Sequence, residues 1–532
     1  MRQIGKTRFL IICAAVCTVL GANSPSATYS QVAPSPTPTP TTVALPSPSA
    51  TPVPRQTLAD LQAKIRRSTF APQLRRGRIG IKIVSLNKGT LIYEVDSEKY
   101  FIPASNMKNF TVAAALERLT PDFRFVTRVR APSKPDAAGL IRGNMFVVGS
   151  GDISISTAFA ESNYYQGLDL IAEKIKAAGV KRIVGDIIAD QSYFRGFRLP
   201  PTWEWDDLQG YYGAEVSALP LNDNAVDLKV SASSVGNPCI VRILPQNSLF
   251  RIINKCTTSA NGARRSITVF KWLDQNVIEV TGTMSTGQSS FDTSVSVTSP
   301  AELFVNLLKD RLQKIGVEIS GRARLMDDSD RMSVRPDLID LASLESPPLA
   351  LIAAKTMKPS QNMYTETLLW TLGERSVRAP GANTTSANLG INAVKEFLRA
   401  IGLPPDAIVQ YDGSGLSRHN IVTPSAVAAL YVHMAKQSKF PQAWRDSLTI
   451  GGVDGTLSRR FIGTAAAANM RGKTGTLDQV SALSGYVTTA TGEQLVVSMI
   501  VNGVAGETRQ RTSVLDEIVV ALANFNGRID TP

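Results

Sequence analysis

The amino-acid sequence predicts an α/β protein of the α+β kind: an antiparallel sheet with a helical lobe, interrupted by two nested insertions. Three observations lead there. A hairpin pattern opens the ordered part, alternating strands and a helix close it, and helices lie between, so both ends of the chain feed one sheet. Between about residues 128 and 345 the texture changes to helix–glycine–strand units. Within that stretch, from about 225 to 300, short alternating runs indicate a small β-rich module. A chain of 532 residues is also too long for one ordinary core.

The elements follow in order. Arg2, Lys6 and Arg8 precede the apolar run "FLIICAAVCTVLGA", residues 9–22, which has the length of a signal h-region and is short for a membrane span. Residues 1–30 are therefore expected to be a signal peptide, cleaved among the small residues from Ala22 to Ser30, with an uncleaved anchor as the alternative. Cys13 and Cys17 lack the preceding small residue of a lipoprotein signal. Residues 31–56 form a Pro/Thr/Ser tract, expected to be an extended spacer without a core.

Order should begin at Thr57, where Thr57 and Asp60 give a capping-box pattern and Leu58, Leu61 and Ile65 share a face. "IGIKIVSLNKGTLIYEVD" reads as a hairpin, and "TVAAALERL" after "PASNMKNF" as a helix. "LDLIAEKIKAAGVKRIVGDIIAD" and "AELFVNLLKDRLQKIGVEISGRARL" repeat one order of helix, glycine (Gly179, Gly316) and strand. "ITVFKWLDQNVIEVTG" typifies the β-rich stretch. "SPPLALIAAKTM", "NMYTETLLWTLG" and "TPSAVAALYVHMAK" are helical; "QVSALSGYVTTA" and "EQLVVSMIVNG" are strands before a last helix over about 509–524.

Composition narrows the chemistry. The net charge of +13 is spread along the chain without a dense Lys/Arg run, so nucleic acid is not an expected partner; a basic exported protein suits an anionic cell-envelope surface. Cys239 and Cys256 remain after signal removal, and an even count in an exported chain suggests one disulfide, against two buried thiols as the alternative. His419 and His433 are the only histidines, which argues against a Ser-His-Asp triad and a histidine metal site. The base of any hydrolase here should be another residue type.

"PASNMKNF" places Ser105 at a helix start and Lys108 one turn on, on the same face. Such a pair can be a nucleophile and its base, or a cap and a solvated lysine. Ser85 and Lys88 have the same spacing at a strand-to-turn junction. "KPSQNMYTE" carries Ser360-Gln361-Asn362, a pattern that also occurs at Ser259 and Ser386. "MRGKTGTLDQV" carries Lys473-Thr474-Gly475; a phosphate loop would need glycine where Ala467 stands. "YDGSGLSRHN" is a glycine-broken loop with Asp412, Ser414, Ser417 and Arg418. The order is informative: Ser-x-x-Lys at a helix start, Ser-x-Asn between helices, Lys-Thr-Gly on a strand.

That set resembles the penicillin-binding proteins and serine β-lactamases. Ser105 and Ser360 are 255 residues apart, far more than a compact β-lactamase allows, and Ser-Gln stands where class A enzymes have Ser-Asp. With "WEWDDLQGYYGAEVSAL", "DGSGLSR" and "GGVDGTLSRRF", the chain from about residue 60 onward is similar to the class C low-molecular-mass penicillin-binding proteins, the D-alanyl-D-alanine carboxypeptidase/endopeptidase family. The resemblance implies a transpeptidase-like catalytic domain over 57–128 and 345–532, an inserted domain over 129–224 and 301–344, and a nested β-rich domain over 225–300.

It further implies a serine-type D-Ala-D-Ala hydrolase acting on peptidoglycan stem peptides or their cross-links in the periplasm or cell envelope, inhibited by β-lactams, without metal or organic cofactor. Ser105 would attack, Lys108 would take its proton, Ser360 would protonate the leaving amine, and Asn362 would orient Lys108 or the substrate amide. Burial and the charge of Lys473 are expected to depress the Lys108 pKa. The Lys473-Thr474-Gly475-Thr476 strand would hold the substrate, with Lys473, Thr474 and Thr476 on its carboxylate. Backbone N–H groups of Ser105 and Thr476 would form the oxyanion hole. Ser414 and Arg418 of the glycine-broken loop, and Asp206 or Asp207 of the Trp-rich stretch, would contact the substrate further upstream. Alternatives are a silent wall-binding or β-lactam-sensing protein, an esterase or β-lactamase on the same scaffold, and for the aspartates a solvated loop over a tryptophan anchor.

Overall fold

A computed structural model describes residues 54–333, 338–377 and 384–529. The signal and nearly all of the Pro-rich tract lie outside the described residues, and Arg55 onward forms one compact unit. No helix among the described residues is long and apolar enough to cross a membrane.

The central sheet has six strands, in the order Thr449–Ile450, Arg471–Leu477, Val480–Thr488, Gln494–Asn502, Arg78–Ser85 and Leu91–Val95, every neighbour antiparallel. The two chain ends do meet in it. Its inner strands are apolar on both faces, and the period of two sends alternate residues to opposite cores. Leu483, Val487, Val497 and Met499 pack beneath the Leu58–Thr69 and Thr508–Ala523 helices, with Leu61, Ile65, Val514 and Ile518. Thr57 caps the first of these in a reciprocal capping box with Asp60. Ala482, Tyr486, Val496 and Ile500 face the helical lobe.

At the centre of that lobe the Lys108–Leu119 helix is buried from Lys108 to Leu116. Its "AAA" run lets neighbouring helices approach on every side, so it lacks the polar face of a surface helix. The Asn362–Arg375 helix is likewise buried from Asn362 to Gly373. Leu349–Met357, Ser386–Ala400 and Pro424–Lys436 complete the packing.

Between the lobe's first two segments lies a second sheet, ordered Ala323–Leu325, Ile187–Asp190, Met145–Val148, Val126–Ala131 and Ile339–Glu345. The repeated helix–glycine–strand units pair with each other: Arg182–Val184 runs parallel to Glu318–Ile319, and Ile187–Asp190 parallel to Ala323–Leu325. The expected division at 128/129 falls inside the Val126–Ala131 strand, which pairs wholly within this second sheet. Residues 225–296 add two three-stranded sheets, joined by the Cys239–Cys256 disulfide with Cα atoms 5.3 Å apart. Leu228, Val280, Ile187 and Phe304 belong to one apolar cluster, so the β-rich region shares its core with the region enclosing it.

Candidate active site

Ser105 sits in a tight helical turn, Ala104–Met107, that runs directly into the Lys108–Leu119 helix. Two glycines allow other segments to close on this turn. A Cβ on Gly415, whose φ is +84°, would lie 1.9 Å from the Ala104 carbonyl oxygen; one on Gly475 would lie 2.6 Å from that of Pro103. The 411–418 loop and the Lys473 strand therefore reach the serine only because those side chains are absent.

Lys108 Nζ is 3.0 Å from Ser105 Oγ, 2.5 Å from Asn362 Oδ1 and 2.7 Å from the Ser414 carbonyl oxygen. Asn362 is held in turn, its Nδ2 donating to the Tyr212 carbonyl at 2.9 Å. Burial pushes the Lys108 amine down to about 7, opposed by the negative charges of Asp412 and Glu366. The expected push from Lys473 runs the other way: burial first, and then the Lys108 charge, hold Lys473 well below the usual lysine range. Lys473 Nζ donates to Ser360 Oγ at 2.8 Å and to the Thr474 carbonyl at 2.9 Å. Ser360 adopts a left-handed backbone, φ +68°, which a serine rarely takes.

Lys473 lies where its strand outruns a short neighbour, since Thr449–Ile450 pairs only with Gly472 and Arg471. Among the described strands, nothing pairs with the outer edge of residues 473–477, where an extended peptide can add. Thr474 Oγ1 donates to Thr456 Oγ1 at 2.8 Å, and Thr476 is exposed.

The glycine-broken loop is organised around two acids. Asp412 accepts from the backbone N–H of Gly415 and Ser417 at 2.8 and 2.7 Å, from Asn420 Nδ2 at 2.7 Å and from Trp203 Nε1 at 2.8 Å. Glu366 accepts from Gly413 N and Ser414 N at 3.0 and 2.7 Å, and burial with the Asp412 charge pushes it up to about 8. The Ser414 hydroxyl is buried 3.4 Å from Asp412 Oδ2. The substrate contact expected of that side chain is thus redirected: Ser414 serves the site through its carbonyl, on Lys108.

Arg418 pairs with Glu204 at 3.1 Å and donates to the Asp478 carbonyl at 3.1 Å. Asp206 is exposed; Asp207 is half-buried and pushed up to about 6 by burial, then by Asp206 and Glu204. Both also act on the Tyr212 phenol, which burial and their charges raise. Trp203 is buried and Trp205 is 61% exposed, so only the first tryptophan is an anchor. Ser105, Lys108, Ser360, Asn362 and Lys473 thus converge, while Glu204, Asp206 and Asp207 lie on the stretch anchored through Trp203, which Arg418 of the glycine-broken loop joins through Glu204. Sequence reasoning missed Glu366 and Tyr212. Glu366 had a signal, one helical turn past Asn362 in an otherwise apolar and threonine-rich helix; a backbone carbonyl such as that of Tyr212 leaves none.

Comparison with known proteins agrees. The model of the family described as D-Ala-D-Ala carboxypeptidase 3 (S13) matches residues 61–525. A D-alanyl-D-alanine carboxypeptidase from Actinomadura sp. (strain R39) is 32% identical over 481 residues, covering 88% of this chain and 86% of its own. D-alanyl-D-alanine carboxypeptidase DacB of Haemophilus influenzae is 26% identical over 448 residues, covering 83% and 89%. The crystal structure of penicillin binding protein 4 (dacB) from H. influenzae matches with a TM-score of 0.72 at 24% identity, over 88% of this chain and 98% of that one. Its complex with a novel β-lactam matches at 0.68. The structural likeness establishes the shared fold; the family match and the Actinomadura relative establish descent. The chain belongs to the D-Ala-D-Ala carboxypeptidase 3 (S13) family.

Proposed function

We propose that this serine-type D-Ala-D-Ala carboxypeptidase acts on peptidoglycan stem peptides through an acyl-enzyme on Ser105. The observation that carries the reading is the set of partners around Lys108 Nζ. Asn362 Oδ1 and the Ser414 carbonyl can only accept, whereas the Ser105 hydroxyl can donate. A neutral amine spends N–H bonds on the two acceptors and turns its lone pair to Ser105, the arrangement a general base needs.

Ser105 Oγ attacks the carbonyl carbon of the penultimate D-Ala as its proton passes to Lys108. The N–H groups of Ser105 and Thr476 receive the oxyanion, at roughly 3 to 4 kcal/mol for a donor of this kind. As the C–N bond breaks, Ser360 gives its proton to the departing amine, and the proton that Lys108 took from Ser105 replaces it by way of Lys473, 2.8 Å from Ser360, so that Lys108 is neutral again. Water then attacks the acyl carbon, Lys108 taking its proton and returning it to Ser105 Oγ as the ester bond breaks. Lys473, Thr474 and Thr476 bind the terminal carboxylate at the unpaired strand edge. A D-Ala cross-link is cut by the same steps, and a β-lactam acylates Ser105 while its leaving group stays tethered. The route uses side chains and backbone alone.

The transpeptidase-like catalytic domain comprises the central sheet and helical lobe, and the regions between them form inserted domains supplying the Trp-rich stretch. The basic start and short apolar run of residues 1–30 support export to the periplasm or cell envelope, with peripheral membrane association as a further partner surface. The test is free D-Ala released from a synthetic stem pentapeptide. Release that stops when penicillin labels the protein is expected. Stable labelling without release would return the chain to a sensing role, and rapid penicillin turnover would make it a β-lactamase.

A further inference from the structure

The Ser360–Asn362 segment is gripped from the inserted region at a second point besides Tyr212. Gln361, the residue between the two motif side chains, donates from Nε2 to Asp223 Oδ2 at 3.0 Å. Its Oε1 accepts from Met363 N at 3.3 Å, capping the helix that starts at Asn362. The other Asp223 oxygen accepts from Ser156 Oγ at 2.8 Å and from Tyr364 OH at 2.5 Å. One carboxylate thus joins a turn of the inserted region, the first turn of the motif helix and the motif itself.

The backbone carrying that carboxylate is unusual. Asn222, Asp223 and Asn224 have φ of +46°, +62° and +53°, three successive residues in a region sterically disfavoured for side chains. Flanking amides lock them there: Asn224 Nδ2 donates to the Glu215 carbonyl at 2.7 Å, and Asn222 Nδ2 to that of Tyr164 at 3.0 Å. Ser360 is itself left-handed at φ +68°, so two disfavoured backbones face each other across the Gln361 bond. Gln361 N also donates to the Thr356 carbonyl at 2.9 Å, which fixes its main chain but leaves the side chain to Asp223.

We infer that Asp223 is a positioning residue for the reaction. Through Gln361 its carboxylate holds the segment that keeps Ser360 on Lys473 and Asn362 on Lys108. The inference rests on the acyl-enzyme reading above and adds to it a residue more than 100 positions from any of the three motifs. It also gives the Gln361 amide a reason: a carboxylate there would confront that of Asp223, and two acids in contact cannot both ionise.

The test measures acylation by a fluorescent penicillin, kcat and KM for D-Ala release, and melting temperature. Gln361→Glu should slow acylation by about tenfold or more and lower kcat with KM nearly unchanged, since a motif side chain is displaced while the carboxylate site stays intact. In the Asp223→Asn/Gln361→Glu double variant the amide and carboxylate exchange sides, and acylation should recover to within about threefold of wild type. A purely stabilising contact would shift melting without this rescue. Wild-type acylation by Gln361→Glu, or a double variant that melts like wild type yet reacts no faster than the single, overturns the inference. Should Gln361→Glu not fold, Gln361→Met removes the bond without adding charge, and a wild-type rate there overturns it equally. Wild-type protein that takes no label would overturn the acyl-enzyme reading and this inference together; label unchanged by the variants overturns this inference alone.

Discussion

Lys108 and Asn362 meet at 2.5 Å across 254 residues of sequence, and the Asn362 amide faces Lys108 because its nitrogen is bound to the Tyr212 carbonyl 2.9 Å away. The base is therefore oriented by a residue of the helical lobe, which is oriented in turn by the Tyr212 main chain, from outside that lobe. Burial lowers the amine, while Glu366 and Asp412 limit the fall by their charge. Removing the Asp412 charge should release that limit.

This gives the pH dependence a sign. A lysine lowered to about 7 is protonated and idle as a base in acid, and becomes competent as pH rises through that value. Acylation by penicillin should rise about tenfold per pH unit below the midpoint and level off above it. The charged groups around Lys108 are Glu366, Asp412 and Lys473. Glu366 is itself raised to about 8 and is largely neutral through the Lys108 midpoint, so Glu366→Gln should leave the rising limb nearly in place. Stopped-flow acylation across pH 5 to 9 checks it, and a limb moved to lower pH in Glu366→Gln would mean that Glu366 is ionised there.

Ser105→Ala should abolish penicillin labelling and leave the fold intact, because the Ser105 side chain caps neither of the two helical segments that meet there. The control is Ser85→Ala. Ser85 shares the spacing to a lysine, but its hydroxyl binds Glu493 and accepts from Lys88 N at 2.9 Å, closing the hairpin turn. That variant should label at the wild-type rate and lose about 1 kcal/mol of stability. Mass spectrometry of the labelled protein decides between the two serines.

The contrast between Ser85 and Ser105 shows what the sequence could reveal. Spacing alone made them equivalent; the ordered companions at Ser360 and Lys473 separated them, and those side chains do meet. The chain ends could be assigned to one sheet because alternating runs stood at both. From the texture around it, the Trp-rich stretch could be expected outside the two segments that build the central sheet, and residues 126–345 do carry strands of other sheets. Its attachment could not be read, since the Trp203–Asp412 and Thr202–Ser417 hydrogen bonds join segments over 200 residues apart. The Ser414 hydroxyl looked available for the same reason: only the folded loop shows it turned inward to Asp412. The acids that oppose the effect of burial at Lys108 were equally hidden, because Glu366 and Asp412 lie far from it in the sequence.

The disulfide should act locally. Cys239 and Cys256 lie 17 positions apart inside the β-rich region, where their cross-link should contribute about 3 kcal/mol to that region's stability. Thiol titration of the denatured, unreduced protein should find neither free. A Cys239→Ser/Cys256→Ser variant should melt earlier and still acylate at the wild-type rate, since neither cysteine contacts the motif residues. Loss of acylation in step with melting would show that the β-rich region supports the site directly.

The last prediction concerns the far end of the substrate. A stem peptide of the diaminopimelate type carries a free amine and a carboxylate upstream of the D-Ala pair, so its reader should offer both charges. Glu204 pairs with the Arg418 guanidinium, which is shared with the Asp478 carbonyl; Asp207 feels the charge of Arg418 and those of Glu204 and Asp206. Carboxylates outnumber the cation, so the patch favours an incoming amine, while Arg418 remains 31% exposed for a carboxylate. Asp206 is exposed and free to meet a substrate; Asp207 is half-buried and raised to about 6, first by burial and then by the charges of Asp206 and Glu204. An ammonium group between them would relieve that repulsion. Asp206→Asn should then weaken cleavage of a peptide bearing the free amine by about 1.5 to 3 kcal/mol, the scale of a charged hydrogen bond. Asp207→Asn should cost less, since removing its charge also relieves Asp206. Neither change should alter acylation by a simple penicillin that lacks this arm. Equal losses on both substrates would mean that the aspartates only shape the loop above Trp203, and the reader of the amine would have to lie elsewhere along the cleft.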